Sequence, residues 1–135
     1  MIIGIGIDLV DIRRIQEILE RHGRRFENRC FTDIEQEKAA KRRGVEQVAA
    51  TYAKRFAAKE ACVKALGTGF INDIMMKDIG VVEGENSRPS LVLSGGALSQ
   101  LNKLVPENMR PVLHLSLTDE PPYAQAFVVI EASPF

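Results

Sequence analysis

The stretch Arg55-Phe56-Ala57-Ala58-Lys59-Glu60-Ala61-Cys62-Val63-Lys64-Ala65-Leu66-Gly67-Thr68-Gly69 constrains the fold more than any other in the chain. Placed on a helix at about 100° per residue, Glu60 falls roughly 40° from Phe56 and roughly 20° from Ala53. Ala49 and Ala57 share that side, and Lys64 follows Glu60 one turn later. A carboxylate and an ammonium therefore sit on a small apolar face, which ordinarily turns inward. Arg55 and Lys59 point elsewhere, on an arc open to solvent or to an anionic ligand. The helix stops at Gly67-Thr68-Gly69, where glycine permits a left-handed C-cap and lets a ligand approach the backbone. Spacing alone leaves two readings open. One is a Glu–Lys pair at i, i+4 on a half-exposed helix, stabilising by about a few tenths of a kcal/mol; the other is a polar site on an inward face.

Around this helix the chain reads as strands and shorter helices. Ile3, Ile5, Ile7 and Leu9 alternate with Gly4, Gly6, Asp8 and Val10, the period of a strand. Its second face is bared by two glycines, so something must pack closely there. Asp8 projects from that bare face, where it serves equally as a turn former or as part of a site. Asp11 can cap a helix with the apolar stripe Ile12, Ile15, Ile18 and Leu19, ended by Gly23. Thr32-Asp33-Ile34-Glu35 has the capping-box form, and a short charged helix should follow to about Arg43, broken by Gly44. The long helix then runs from about Glu46 to Leu66. A loop follows Gly69, then a strand from Asp78 to Glu83, a turn over Glu85 to Pro89, and a hairpin partner at Leu91 to Leu93. Ser94 can cap a helix near Ala97 to Leu104. Two strands close the chain. The first sets Leu113, Leu115 and Leu117 on one face and His114, Ser116 and Thr118 on the other; the second spans about Tyr123 to Glu131. The expected fold is α+β: a single domain over residues 1–135, its mostly antiparallel sheet packed against a long central helix and shorter helices.

Charge narrows the class of partner. The formal net charge is +0, which argues against general nucleic-acid binding. The distribution is uneven, with Arg13, Arg14, Arg21, Arg24, Arg25 and Arg29 early and Lys38, Lys41, Arg42 and Arg43 close behind. Such a patch suits an acidic partner or a phosphate-rich ligand, and equally a solvated helix face. Cys30 and Cys62 match no metal spacing and read as buried free thiols. No apolar run approaches the ~20 residues of a membrane span, and no signal-peptide pattern opens the chain, so a cytoplasmic location is expected.

Few chemistries can be assembled from the remaining residues. Only His22 and His114 are available for a Ser-His-Asp set, and neither has a motif context. There is no phosphate-binding Walker sequence, and Gly4-Ile5-Gly6 lacks the third glycine of a dinucleotide fingerprint. Asp8 and Glu60 remain, two hard oxygen donors on bare or apolar surfaces. They suit Mg²⁺, which keeps several waters and takes phosphate oxygens at its other positions. Lys64 beside them would neutralise phosphate charge as a point cation.

Gly4-Ile5-Gly6-Ile7-Asp8, together with Arg55 to Gly69, closely resembles the small holo-acyl-carrier-protein synthase type of 4′-phosphopantetheinyl transferase. His114-Leu115-Ser116-Leu117-Thr118-Asp119-Glu120, followed by Tyr123-Ala124, resembles that family's C-terminal hairpin. The resemblance implies transfer of the phosphopantetheine arm of coenzyme A to a serine of apo-acyl carrier protein, releasing 3′,5′-ADP, in fatty acid biosynthesis. It further implies homotrimers with active sites between subunits. On the matching positions, Asp8 and Glu60 would be Mg²⁺ ligands and Lys64 would approach the transferred phosphate. Arg55, Lys64, Gly67, Thr68 and His114 would lie near coenzyme A, and Arg14 and Arg21 would meet the acidic carrier protein. Many members have a second histidine where this chain has Asp119, whose role is left open. The general base is open too, among Glu60, Asp8 and a metal-bound water. Two further readings compete: a non-catalytic module binding coenzyme A or carrier protein, and a structural oligomer in which Glu60 and Lys64 form a buried pair.

Overall fold

The bare face of the first strand is filled by helix backbone. The computed structural model describes residues 1–71 and 73–135, and in it strand β1 (Ile2–Asp11) lies directly against helix α4 (Val45–Leu66). A methyl group added at Gly6 would collide with the carbonyl of Ala61, and one at Gly4 with that of Ala65. Ala57, Ala58, Ala61 and Ala65 are buried on the helix, so small residues on both partners bring the two backbones together. The close packing expected from the two glycines is there.

β1 pairs antiparallel with the last strand, β5 (Tyr123–Pro134), which pairs in turn with β4 (Met109–Glu120). Gly4, Gly6, Asp8 and Val10 share their face with Ala124, Ala126, Val128 and Ile130 of β5 and with Leu113, Leu115 and Leu117 of β4. This is the face that α4 covers. The opposite face carries Ile5, Ile7, Leu9 and Phe127, which are 57%, 49%, 62% and 42% exposed. Contiguous exposed apolar surface of this kind marks an association site.

Helices α1 (Ile12–His22), α2 (Arg24–Cys30) and α3 (Asp33–Ala40) connect β1 to α4. Asp11 caps α1 as expected, its side chain accepting from the Arg13 amide. Ile12 and Ile15 are buried on the predicted stripe, while Ile18 and Leu19 are half-buried. α2 had no counterpart in the sequence reading. Gly23, at positive φ, reorients the chain instead of ending helical structure, and Phe31 and Cys30 are buried beyond it. The Thr32–Glu35 capping box forms, but α3 stops at Ala40, short of Arg43.

α4 ends in a left-handed Gly67 as predicted. The expected loop after Gly69 includes Asn72, which lies outside the described residues. Strands β2 (Ile79–Glu83) and β3 (Pro89–Leu93) then form a separate two-stranded sheet, and α5 (Gly95–Leu104) follows. Ser94 stands at the start of α5 without a side-chain capping bond. Cys30 and Cys62 are buried free thiols, and burial pushes the Cys62 thiol up to about 12. The α+β class with antiparallel sheets on a long central helix agrees with the sequence reading.

The glycine contact sets a direct expectation. Gly6→Ala forces α4 off the sheet and should cost about 3 kcal/mol or more, above the usual range for overpacking because backbone atoms obstruct the methyl. Chemical denaturation measures it, and a loss below about 1 kcal/mol would show that the helix can yield.

Candidate functional site

Arg55, Lys59, Glu60 and Lys64 leave α4 in different directions, and the structure gives each a different surrounding. Lys59 and Arg55, expected on an open arc, are instead 0% and 6% exposed. α4 is enclosed by β1, β5, α1, α3 and β2, so it has no broad solvent face for that arc to occupy. Lys59 Nζ pairs with Glu35 Oε1 at 2.8 Å, a buried ion pair that single-sequence periodicity missed. Burial lowers the Lys59 pKa, opposed by the Glu35 charge. Arg55 Nη1 donates to the Thr51 carbonyl at 3.1 Å. Its Nε is buried without a partner among the described residues, an unspent donor that suits an anion.

Glu60 and Lys64 face β1, with Glu60 half-buried and Lys64 exposed. The expected i, i+4 pair between them is not what forms. Lys64 Nζ reaches across to β1, donating to Asp8 Oδ1 at 3.1 Å and to the Ile7 carbonyl at 2.9 Å. Within one chain the Lys64 side chain is 52% exposed. Asp8 is 17% exposed. The Glu60 carboxyl titrates above the usual carboxylate range, first through burial and then through the charge of Asp8. Lys64 and Arg14 pull it the other way, so all four groups share one electrostatic neighbourhood.

Asp8 is paired with Lys64, whereas Glu60 makes no ion pair among the described residues. A cation beside Glu60 would relieve the charge of both carboxylates. Among the described residues no cluster of three or more His, Cys, Asp and Glu occurs. Two hard oxygen donors fit Mg²⁺ completed by water and phosphate oxygens, and not a closed zinc site.

The remaining predicted residues are spread around this centre. Gly67, in the left-handed conformation, and Thr68 lie one turn beyond Lys64, and the Thr68 hydroxyl donates to the Gly69 carbonyl. Arg14 and Arg21 are exposed on α1. Nearby, Ile18, Phe26, Phe56 and Phe70 line an apolar groove of about 560 Å³ rimmed by Arg25 and Arg29. The sequence reading did not find this groove because it missed α2. His114 is not brought to the carboxylates. It lies on the opposite face of the sheet from Asp8, 2.9 Å from Glu131, and lines a cleft of about 690 Å³ against the β2–β3 hairpin tip. Asp119 pairs with Lys54 at 3.2 Å.

The model of the 4′-phosphopantetheinyl transferase superfamily matches residues 4–115. The chain belongs to this family. The match spans both the Gly4–Asp8 strand and the helix with Glu60 and Lys64. The chain is similar to the holo-[acyl-carrier-protein] synthase of Brucella ovis, 55% identical over 134 residues, covering 99% of this chain and 98% of that one. The fold is similar to that of a Bacillus anthracis holo-(acyl-carrier-protein) synthase in complex with CoA (3′,5′-ADP). That similarity has a TM-score of 0.78 and 33% identity, covering 98% and 99% of the two chains. A Helicobacter pylori holo-[acyl-carrier-protein] synthase in complex with coenzyme A gives a TM-score of 0.77 at 28% identity, covering 94% and 99%.

The carboxylate pair of this phosphopantetheinyl transferase family member carries a pH signature. A carboxyl whose folded pKa is raised binds its proton more tightly in the native state, so it stabilises below its unfolded pKa. That contribution is lost as pH rises through the folded value. At neutral pH and without divalent cations, Glu60→Gln should therefore raise the melting temperature. The gain should vanish near pH 4. Added Mg²⁺ should raise the melting temperature of the wild type and leave the variant unmoved; equal Mg²⁺ effects on both would remove Glu60 from the cation site.

Proposed function

We propose that this chain, working as one domain over residues 1–135, transfers the 4′-phosphopantetheine group of coenzyme A to a serine of apo-acyl carrier protein. The product nucleotide is 3′,5′-ADP, and the reaction serves fatty acid biosynthesis in the cytoplasm. The observation that carries the reading is the junction of Asp8, Glu60 and Lys64 across the β1–α4 contact. The family assignment and the coenzyme A complexes of similar proteins support it.

In the reaction the serine oxygen forms a bond to the phosphorus that carries pantetheine, and the bond from that phosphorus to the bridging oxygen breaks. Negative charge moves onto the departing nucleotide. Lys64, already aimed at the carboxylate pair, would stabilise that charge. Asp8 and Glu60 would hold Mg²⁺, whose chemistry there is charge neutralisation at the diphosphate. The serine proton must leave as its oxygen attacks, and a carboxylate oxygen of Glu60 or Asp8 would accept it. Gly67, Thr68 and the unspent donor of Arg55 would receive the nucleotide's phosphates.

The arginine-rimmed groove beside α1 suits the carrier protein. Arg14 and Arg21 would steer an acidic surface, and the apolar floor of Ile18, Phe26 and Phe56 would accept its hydrophobic side chains. His114 has no place at the carboxylates within one chain. It shares its sheet face with Ile5, Ile7 and Phe127, so association through that apolar face would carry it toward another copy's site. A homotrimer with interfacial sites fits this arrangement.

Mass spectrometry of apo-acyl carrier protein incubated with the chain, coenzyme A and Mg²⁺ tests the reading. The expected result is a gain of about 340 Da, the mass of the transferred phosphopantetheine, abolished by EDTA and nearly abolished by Glu60→Gln. Coenzyme A binding without any mass gain would favour a binding module. Arg14→Ala and Arg21→Ala should each raise the KM for carrier protein several-fold, with the effect fading at high salt. Ile7→Arg should yield monomers in sedimentation and lose activity; an active monomer would overturn the interfacial site.

A further inference from the structure

The Glu35–Lys59 pair is the one buried charge pair of the described residues, and it meets the arginine-rimmed groove only through the backbone carbonyl of Met76. Both side chains are fully buried. All three donors of the Lys59 ammonium are used. One goes to Glu35, one to the Met76 carbonyl at 3.1 Å and one to the Ile79 carbonyl. Glu35 is equally committed, with Oε1 accepting from the Thr32 amide at 2.8 Å and Oε2 from the Val81 amide at 2.7 Å. This knot therefore fastens the start of α3, the middle of α4 and both ends of the segment leading into β2.

Among the described residues the β2–β3 hairpin shares no strand pairing with the three-stranded sheet; Ile79, Val81, Leu91 and Leu93 bury it in the core, and the knot adds the directed bonds that this apolar packing lacks. The hairpin tip, with Asn86, Arg88 and Ser90, forms one wall of the cleft whose other wall holds His114. A buried ion pair is poor evidence for stability, since well-packed apolar replacements are often neutral or stabilising. Its directed bonds to three carbonyl and amide positions do fix register, which apolar packing does not. Lys59 is also the neighbour of Glu60, so the knot ties the hairpin to the same helical turn that carries the carboxylate.

We propose that Glu35 and Lys59 are positioning residues, which set the β2–β3 hairpin against α4 and thereby shape the cleft between the hairpin tip and His114, the residue that the transferase reading assigns to coenzyme A. The inference rests on the transferase reading above. The double variant Glu35→Leu/Lys59→Met removes both charges and keeps apolar volume. It should melt lower, because the Thr32 and Val81 amides and the Met76 and Ile79 carbonyls lose their partners, while in the folded variant KM for coenzyme A rises about tenfold and kcat stays within about threefold. The KM for carrier protein should not move. Glu35→Gln, whose single carbonyl oxygen can still accept from one of the two amides, should give a smaller rise in the same KM. A purely structural pair would lower the melting temperature and the active fraction without moving KM. A wild-type KM for coenzyme A in the folded variants overturns the proposal. So does failure of the double variant to fold, which would make the pair essential to the core itself. An inactive wild type would instead overturn the transferase reading.

Discussion

The approach of α4 to β1 is the contact on which the rest of the molecule depends. At Gly4 and Gly6 the strand offers no Cβ, and the helix answers with alanine carbonyls where side chains would otherwise stand. Asp8 lies two residues beyond Gly6, and Glu60 one residue before Ala61. The distance between their carboxylates is therefore set almost directly by the backbone contact. Lys64 can span from helix to strand only because the gap is this small. A protein built on ordinary helix–sheet spacing would separate these three groups by several ångströms more.

The same burial sorts the charges of α4 by function. Arg55 and Lys59 point into polar surroundings made by α3 and the β2–β3 hairpin, while Glu60 and Lys64 point at β1. Lys59 is neutralised completely by Glu35, so its charge contributes little outside the core. Glu60 meets a like charge and half-burial, which makes its ionisation costly and its affinity for a cation or a proton high. Adjacent residues on one helix thus differ sharply: Lys59 is paired inside the core, and the ionisation of Glu60 is opposed by burial and by Asp8.

Much of this was legible in the chain. The glycines of β1, the caps at Asp11 and Thr32, the long helix and its left-handed end were each carried by local chemistry acting over a few residues. Other features were not. Gly23 was read as a stop because a positive-φ glycine ends one helix and begins another equally well, which hid α2 and the groove it lines. Lys59 was set on an open arc because helical periodicity reports the angle of a side chain and not what stands opposite. Its partner Glu35 lies twenty-four residues earlier, already accounted for by its capping role.

By itself the sequence determined the local elements, the unusually close packing demanded by Gly4 and Gly6, and the identity of Asp8, Glu60 and Lys64 as a chemically coherent set. Those follow from φ/ψ preferences, residue size and functional-group type, which each residue carries wherever the chain goes. Only the tertiary structure decided that Lys64 pairs with Asp8 and not Glu60, that Lys59 and Arg55 are buried, and that His114 lies across the sheet from the carboxylates. Those are set by which surfaces meet, and burial and distance, not residue type, fix the energy of a charge.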